Sequence, residues 1–170
     1  MITYSQYELY FKDIATRLVD IAHTDENPQF AIMDIDDILG SQRGKLNFTK
    51  PVMILENPEG RFGYKHDQLH DENLGAFHIL RDAGRDNPAT KREVMDQSKT
   101  IGSKIISKLQ YDKIQLSKGA TGIPQMILFF DLAQVRYQKI GPIFSGCYGW
   151  RFEFNLAEQS PIIYDSEDWT

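Results

Sequence analysis

An α+β fold, with a mainly antiparallel sheet and two long helices packed on one face, is what this 170-residue sequence predicts. Apolar residues recur at helical spacing in two separate stretches, and short apolar runs bounded by turn text lie between and after them. Near the C-terminus, residues 148–156 alternate aromatic or apolar with polar at strict period two. Hairpin connections dominate, so the strands are expected to pair antiparallel.

The elements follow in order. "SQYE" (5–8) reads as a capping box, with the Ser5 hydroxyl taking a first-turn amide and Glu8 reaching back. Tyr7, Phe11, Ile14, Leu18 and Ile21 then form one stripe, and "HTDENP" is expected to close the first helix near His23. Residues 29–35 read as a strand. "PVMILEN" (51–57), the turn text "NPEG" and "RFGYKH" together read as a hairpin over 51–66. Residues 66–74 read as a solvated loop, "GAFHILR" (75–81) as a strand, and "DAGRDNPATKRE" (82–93) as an exposed loop. The second helix carries Val94, Ser98, Ile101, Ile105 and Leu109 as its stripe, with Lys99, Lys104 and Lys108 largely off it. "MILFFDLAQVRYQKI" (126–140) and "CYGWRFEFNL" (147–156) read as the two strands of a hairpin around "GPIFSG". Residues 1–160 are expected to form a single domain, and 161–170 an acidic tail.

Composition bounds the function. The chain is 41% apolar and 12% aromatic, enough for a core without disulfide or metal staples. Cys147 is the only cysteine, which excludes an intrachain disulfide framework and suits a reducing compartment. No secretory signal and no membrane-length apolar run is visible, so a soluble, cytoplasmically made protein is expected. Net charge is −5. Residues 1–40 hold eight acids against Lys12 and Arg17, whereas 41–118 hold fourteen bases against ten acids. Such a balance argues against tight nucleic-acid binding, which depends on phosphate neutralisation. The split suits head-to-tail contact between copies, although two ordinary solvated faces account for it as well.

Three patterns invite a chemical reading. "FAIMDIDDILG" (30–40) ends a strand in Asp34, Asp36 and Asp37, and residues two apart on a strand share a face. Dehalogenase-like phosphatases present a nucleophile and a general acid in that way. Such an enzyme needs a parallel sheet of alternating strands and helices, a lysine on a later element and a second acidic strand end, whereas here the helices are separated by a β-hairpin and no Gly-Asp-x-x-x-Asp follows. "HDQLHDE" (66–72) spaces His66 and His70 four apart, with Asp67, Asp71 and Glu72 to complete a metal shell if the segment were helical. As a loop, it fixes no such geometry. His78 is expected on the polar face of a strand. Cys147 has no neighbouring His or Lys to lower its pKa and reads as a small buried hydrophobe. No residue is therefore assigned a catalytic, cofactor-binding or metal-binding role, and no cofactor is expected. A small metal-dependent phosphohydrolase using Asp34 and Asp36, with His66 or His70, and a monomeric adaptor domain stand as the alternatives.

The texts "YELYFKDIATRLVDIA", "GSKIISKLQYD" and "VRYQKIGPIFSGCYGWRFEFNL", in that element order, resemble the tail terminator and tail-completion proteins of tailed bacteriophages. The resemblance implies a virion structural protein at the head–tail junction. Such proteins form a ring, commonly a hexamer, that ends tail-tube growth and meets the head connector, with DNA passing through the lumen without specific binding. The polar stretches 36–50, 66–74 and 82–93 are the expected interface arms, with 161–170 as a docking segment.

Overall fold

The first helix, α1 (Tyr4–Arg17), starts two residues earlier than the sequence suggests. Thr3, not Ser5, is its N-cap. The Thr3 hydroxyl accepts from the Gln6 amide at 3.2 Å, and the Gln6 side chain accepts from the Thr3 amide at 3.2 Å. Thr-x-x-Gln is itself a capping box, so two overlapping boxes compete and the upstream one prevails. The helix also ends before His23. Leu18 is its C-cap, and Ala22 at φ 49° redirects the chain so that Ile21 and His23 are buried after the helix.

The computed structural model describes residues 2–34, 45–65, 68–84, 87–144, 146–159 and 164–169. After α1 come β1 (Phe30–Ile32), β2 (Val52–Leu55), β3 (Glu59–Lys65), β4 (Gln68–Asp82), α2 (Pro88–Ser117), β5 (Arg136–Ile143) and β6 (Cys147–Gln159). The strands form one six-stranded mixed sheet in the order β1-β2-β4-β6-β5, with β3 also on β4. β1 and β2 pair parallel; the other pairings are antiparallel. The class is α+β, with two α-helices among the described residues.

Four readings of the sequence need correction. Residues 51–66 are not a hairpin: β2 and β3 both pair with β4, end to end along one side of it. The 15-residue β4 absorbs 68–74, which reads as loop because its alternation sets His70 and Glu72 against Asp71 and Asn73, leaving little hydrophobic contrast. The connection after it is short, since α2 begins inside 82–93: Asn87 caps it by accepting from Ala89 and Thr90 amides, and Pro88 sits where no amide partner is needed. Finally, only 136–140 of the expected strand 126–140 is strand. Gln125–Ile127 and Leu132–Gln134 are 3-10 turns, the second opened by the Asp131 carboxylate on the Ala133 amide.

The larger core cluster joins Tyr7, Phe11 and Ile14 of α1, Ile101, Ile105 and Leu109 of α2, and Phe77, Phe152 and Phe154 of the sheet. Phe77 and Phe152, opposite each other in register, stack at 5.1 Å, and Phe11 meets Phe154 at 5.2 Å. Two glycines allow this closeness. A Cβ on Gly75 would strike Phe154 and the Tyr7 hydroxyl, and one on Gly102 would overlap the Phe152 ring. Tyr10 donates to Asp112 at 2.7 Å and so ties the helices together. A smaller cluster of Met33, Val52, Ile54 and Leu80 lies under Leu46, Phe48, Ile140, Ile143 and Phe144.

Candidate functional site

The residues singled out in the sequence do not converge. Asp34 is exposed just beyond β1 and accepts from the Asn57 amide at 2.9 Å. Asp36, Asp37, His66 and Asp67 lie outside the described residues. The antiparallel pairing around β2, β4 and β6 is not the parallel, helix-crossed sheet of a dehalogenase-like phosphatase. His70 is buried edge-on to Phe129 at 4.8 Å. Asp71, one residue on, projects from the other face and accepts from the Ile2 amide at 3.0 Å, while Glu72 pairs with Arg61 at 2.8 Å. Strand geometry thus separates residues that a helix would have gathered. Among the described residues, no group of three or more His, Cys, Asp or Glu side chains is placed to hold a metal ion. Cys147 is buried at the start of β6.

Two arrangements were not read from the sequence. The first lies on the sheet face opposite Phe77 and Phe152. The Arg151 guanidinium donates to both oxygens of Glu56, at 2.6 and 2.8 Å, and its third nitrogen reaches Glu153. His78, almost fully buried, meets the same Glu56 carboxylate through Nε2, and among the described residues its Nδ1 has no hydrogen-bond partner. Burial alone would raise the Glu56 pKa, but hydrogen bonds from Arg151 and His78 and their charges more than reverse this and hold it at about 2. The hydrogen bond to Glu56 in turn raises the Arg151 pKa. The bidentate pair fastens the end of β2 to β6 across β4, and its carboxylate is saturated by its own partners. It is a clamp. Beside it, a polar groove of about 680 Å³ includes Glu59, Arg61, Glu72, Arg136, Glu153 and Asn155.

The second arrangement lies where the first half of α2 passes the β5–β6 hairpin. A groove of about 420 Å³ is lined by Lys91, Arg92, Met95, Asp96, Lys139, Tyr148 and Trp150, among others. Lys91 stands over the Tyr148 ring at 4.2 Å, and Lys99 lies 4.8 Å from Tyr137 and 5.2 Å from Trp150. Lys139 lies over the other reach of Trp150 at 5.9 Å. The Trp150 indole is fixed by donating to the Met95 carbonyl at 2.9 Å. Lys91, Met95 and Lys99 are spaced four apart, so one helix face supplies the cations. That spacing was available in the sequence; the aromatic partners from β5 and β6 were not.

Of the expected interface arms, the described part of 36–50 sends Leu46 and Phe48 inward, and 68–74 is sheet. The segment 164–169 is exposed throughout. No helix among the described residues is long and apolar enough to cross a membrane. No protein-family model and no curated protein matches the chain.

Proposed function

We propose that this chain is a non-enzymatic virion structural protein. It forms a ring, a hexamer on the resemblance, that ends the phage tail tube and joins it to the head connector. We infer that both helices cover one face of the sheet, which leaves the outer edge, and the part of the opposite face not covered by Leu46, Phe48 and Phe144, for neighbours. The observation that carries the reading is that edge. β5 is exposed along most of its length, and only β6 pairs with it among the described residues. An open strand edge offers a row of backbone donors and acceptors to another chain. Arg136, Lys139 and Pro142 on that edge discourage indiscriminate pairing, which suits a subunit that joins its neighbours on a tail-tube template.

The clamp of Glu56, Arg151 and His78 supports a rigid subunit rather than a reacting centre, because its carboxylate is already saturated. The acidic balance of the chain suits a conduit that lets DNA pass without gripping phosphate. Assembly takes place in the host cytoplasm, and the finished protein sits at the head–tail junction.

Electron microscopy of particles carrying a tagged copy of this chain tests the proposal. Tag density at the head–tail junction is expected. Density elsewhere on the particle, or its absence from purified particles, overturns it.

A further inference from the structure

We propose that residues 164–169 of one copy dock in the groove between α2 and the β5–β6 hairpin of a neighbouring copy. The inference rests on the ring reading and names the contact that builds the ring.

The two surfaces are complementary in charge and in shape of side chain. Lys91, Arg92, Lys99 and Lys139 are exposed around the groove, and none of them forms an ion pair among the described residues. Among the described residues Asp96 is the one carboxylate in the groove wall, and Glu93 nearby is directed to Arg81 at 3.4 Å. The tail text "YDSEDW" supplies Asp165, Glu167 and Asp168 and no base. It is shaped as a single 3-10 turn, with the Asp165 carboxylate accepting from the Glu167 amide at 2.9 Å. Tyr164 and Trp169 close the turn by stacking at 6.2 Å, yet remain 73% and 71% exposed. Exposed aromatic rings bracketing unpaired carboxylates match a groove of aromatic rings bracketed by unpaired ammonium groups. Tyr, Trp and Arg are the usual anchors of a protein contact, and the groove and tail supply all three.

The fold also bears on whose groove receives the tail. The groove is built on Tyr148 and Trp150, at the start of β6, while the tail leaves from Gln159 at its end. From Trp150 to Gln159 is nine strand residues, roughly 30 Å. Gln159 to Tyr164 is five steps, at most about 18 Å. The turn itself adds about 10 Å, so a tail that keeps its turn touches its own groove only at full stretch and with its far end, which favours the groove of a neighbouring copy. Two different patches, one at the start of β6 and one following its end, make a heterologous contact, the kind that closes a ring when the rotation allows.

Light scattering and sedimentation of the full chain at low salt, up to millimolar concentration, provide the test. Lys91→Glu with Lys99→Glu, and separately Glu167→Lys with Asp168→Lys, should each weaken self-association about tenfold or more, with unchanged circular dichroism because all four side chains are exposed. Mixing the two variants should restore association, since each tail then faces a groove of opposite sign. A wild-type chain that stays monomeric, variants that associate like wild type, or a mixture that fails to associate overturns the proposal. Assembly that ignores these substitutions while the tag still lies at the head–tail junction removes this contact and leaves the ring reading standing. Charge-dependent association with the tag located elsewhere does the reverse.

Discussion

Along β6, the same backbone carries Phe152 and Phe154 to one side and Arg151 and Glu153 to the other, and the two sides work by different physics. Phe152 and Phe154 are buried among rings from β4 and α1. Their contribution is area removed from water, which is large and tolerant of small shifts. Arg151 and Glu56 are also mostly shielded, and the cost of desolvating them offsets part of the attraction between them. What that side supplies is geometry: a fork of hydrogen bonds that admits one register of β2 relative to β6. Stability and alignment are thus assigned to opposite faces of one strand.

Substitutions on each face sharpen the contrast. Phe154→Ala should have the largest effect, about 3–5 kcal/mol by thermal or urea unfolding, because the vacated volume lies beneath Tyr7 and Phe11 where neither helix can easily collapse. A loss below about 1 kcal/mol would mean that the aromatic face is not the core. On the other face, Arg151→Met should cost less, about 2 kcal/mol, since the Glu56 carboxylate it strands retains some access to water. Adding Glu56→Leu should recover most of that loss, the signature of a charge left unpaired rather than of a contact missed. A double variant as unstable as the sum of the singles would contradict the division of labour.

The polar face also predicts an acid response that the aromatic face lacks. Glu56 is depressed to about 2 in the folded chain from an ordinary value of 4.5. Its stabilising contribution is therefore complete above pH 4.5 and is lost as pH falls from there toward 2, because the unfolded chain takes up the proton first. Because solvent screens the partly exposed carboxylate, the loss should be on the order of 1–2 kcal/mol, below the full value of the shift. Glu56→Gln should flatten this part of the stability profile while leaving the Phe154→Ala deficit unchanged across it. A wild-type profile without that acid limb would remove Glu56 from the clamp.

The same contrast explains what was legible before the structure. The stripes Tyr7, Phe11, Ile14 and Ile101, Ile105, Leu109, and the alternation Phe152, Phe154, Leu156, are local periodic signals, and those residues are buried. Residues 68–74 failed as a strand reading because a strand with polar residues on both faces shows no hydrophobic period. β3 was assigned the wrong partner because nothing local tells a strand which neighbour it pairs with. The Glu56–Arg151 pair, 95 residues apart, left only a hint in the polar alternates of β6. Asn87–Pro88 does spell a helix start, but it sits inside a run so polar that the loop reading prevailed.

The smallest effect is expected at the carboxylate that looked most chemical. Asp34 stands beyond β1, outside both the aromatic core and the clamp, and its contact among the described residues is one exposed hydrogen bond from Asn57. An exposed acid with one neutral partner contributes little, so Asp34→Asn should change stability by less than about 0.5 kcal/mol. It should equally leave the unfolding midpoint in magnesium where it is without magnesium. The structure offers a reason for the second expectation: β1 is three residues long, and the parallel strand beside it, β2, is followed directly by Glu56, whose carboxylate is already held by Arg151 and His78. A magnesium-dependent rise of the wild-type midpoint that disappears in Asp34→Asn would reverse the ranking. It would place a binding centre at the edge of the sheet and revive phosphoryl chemistry for this chain.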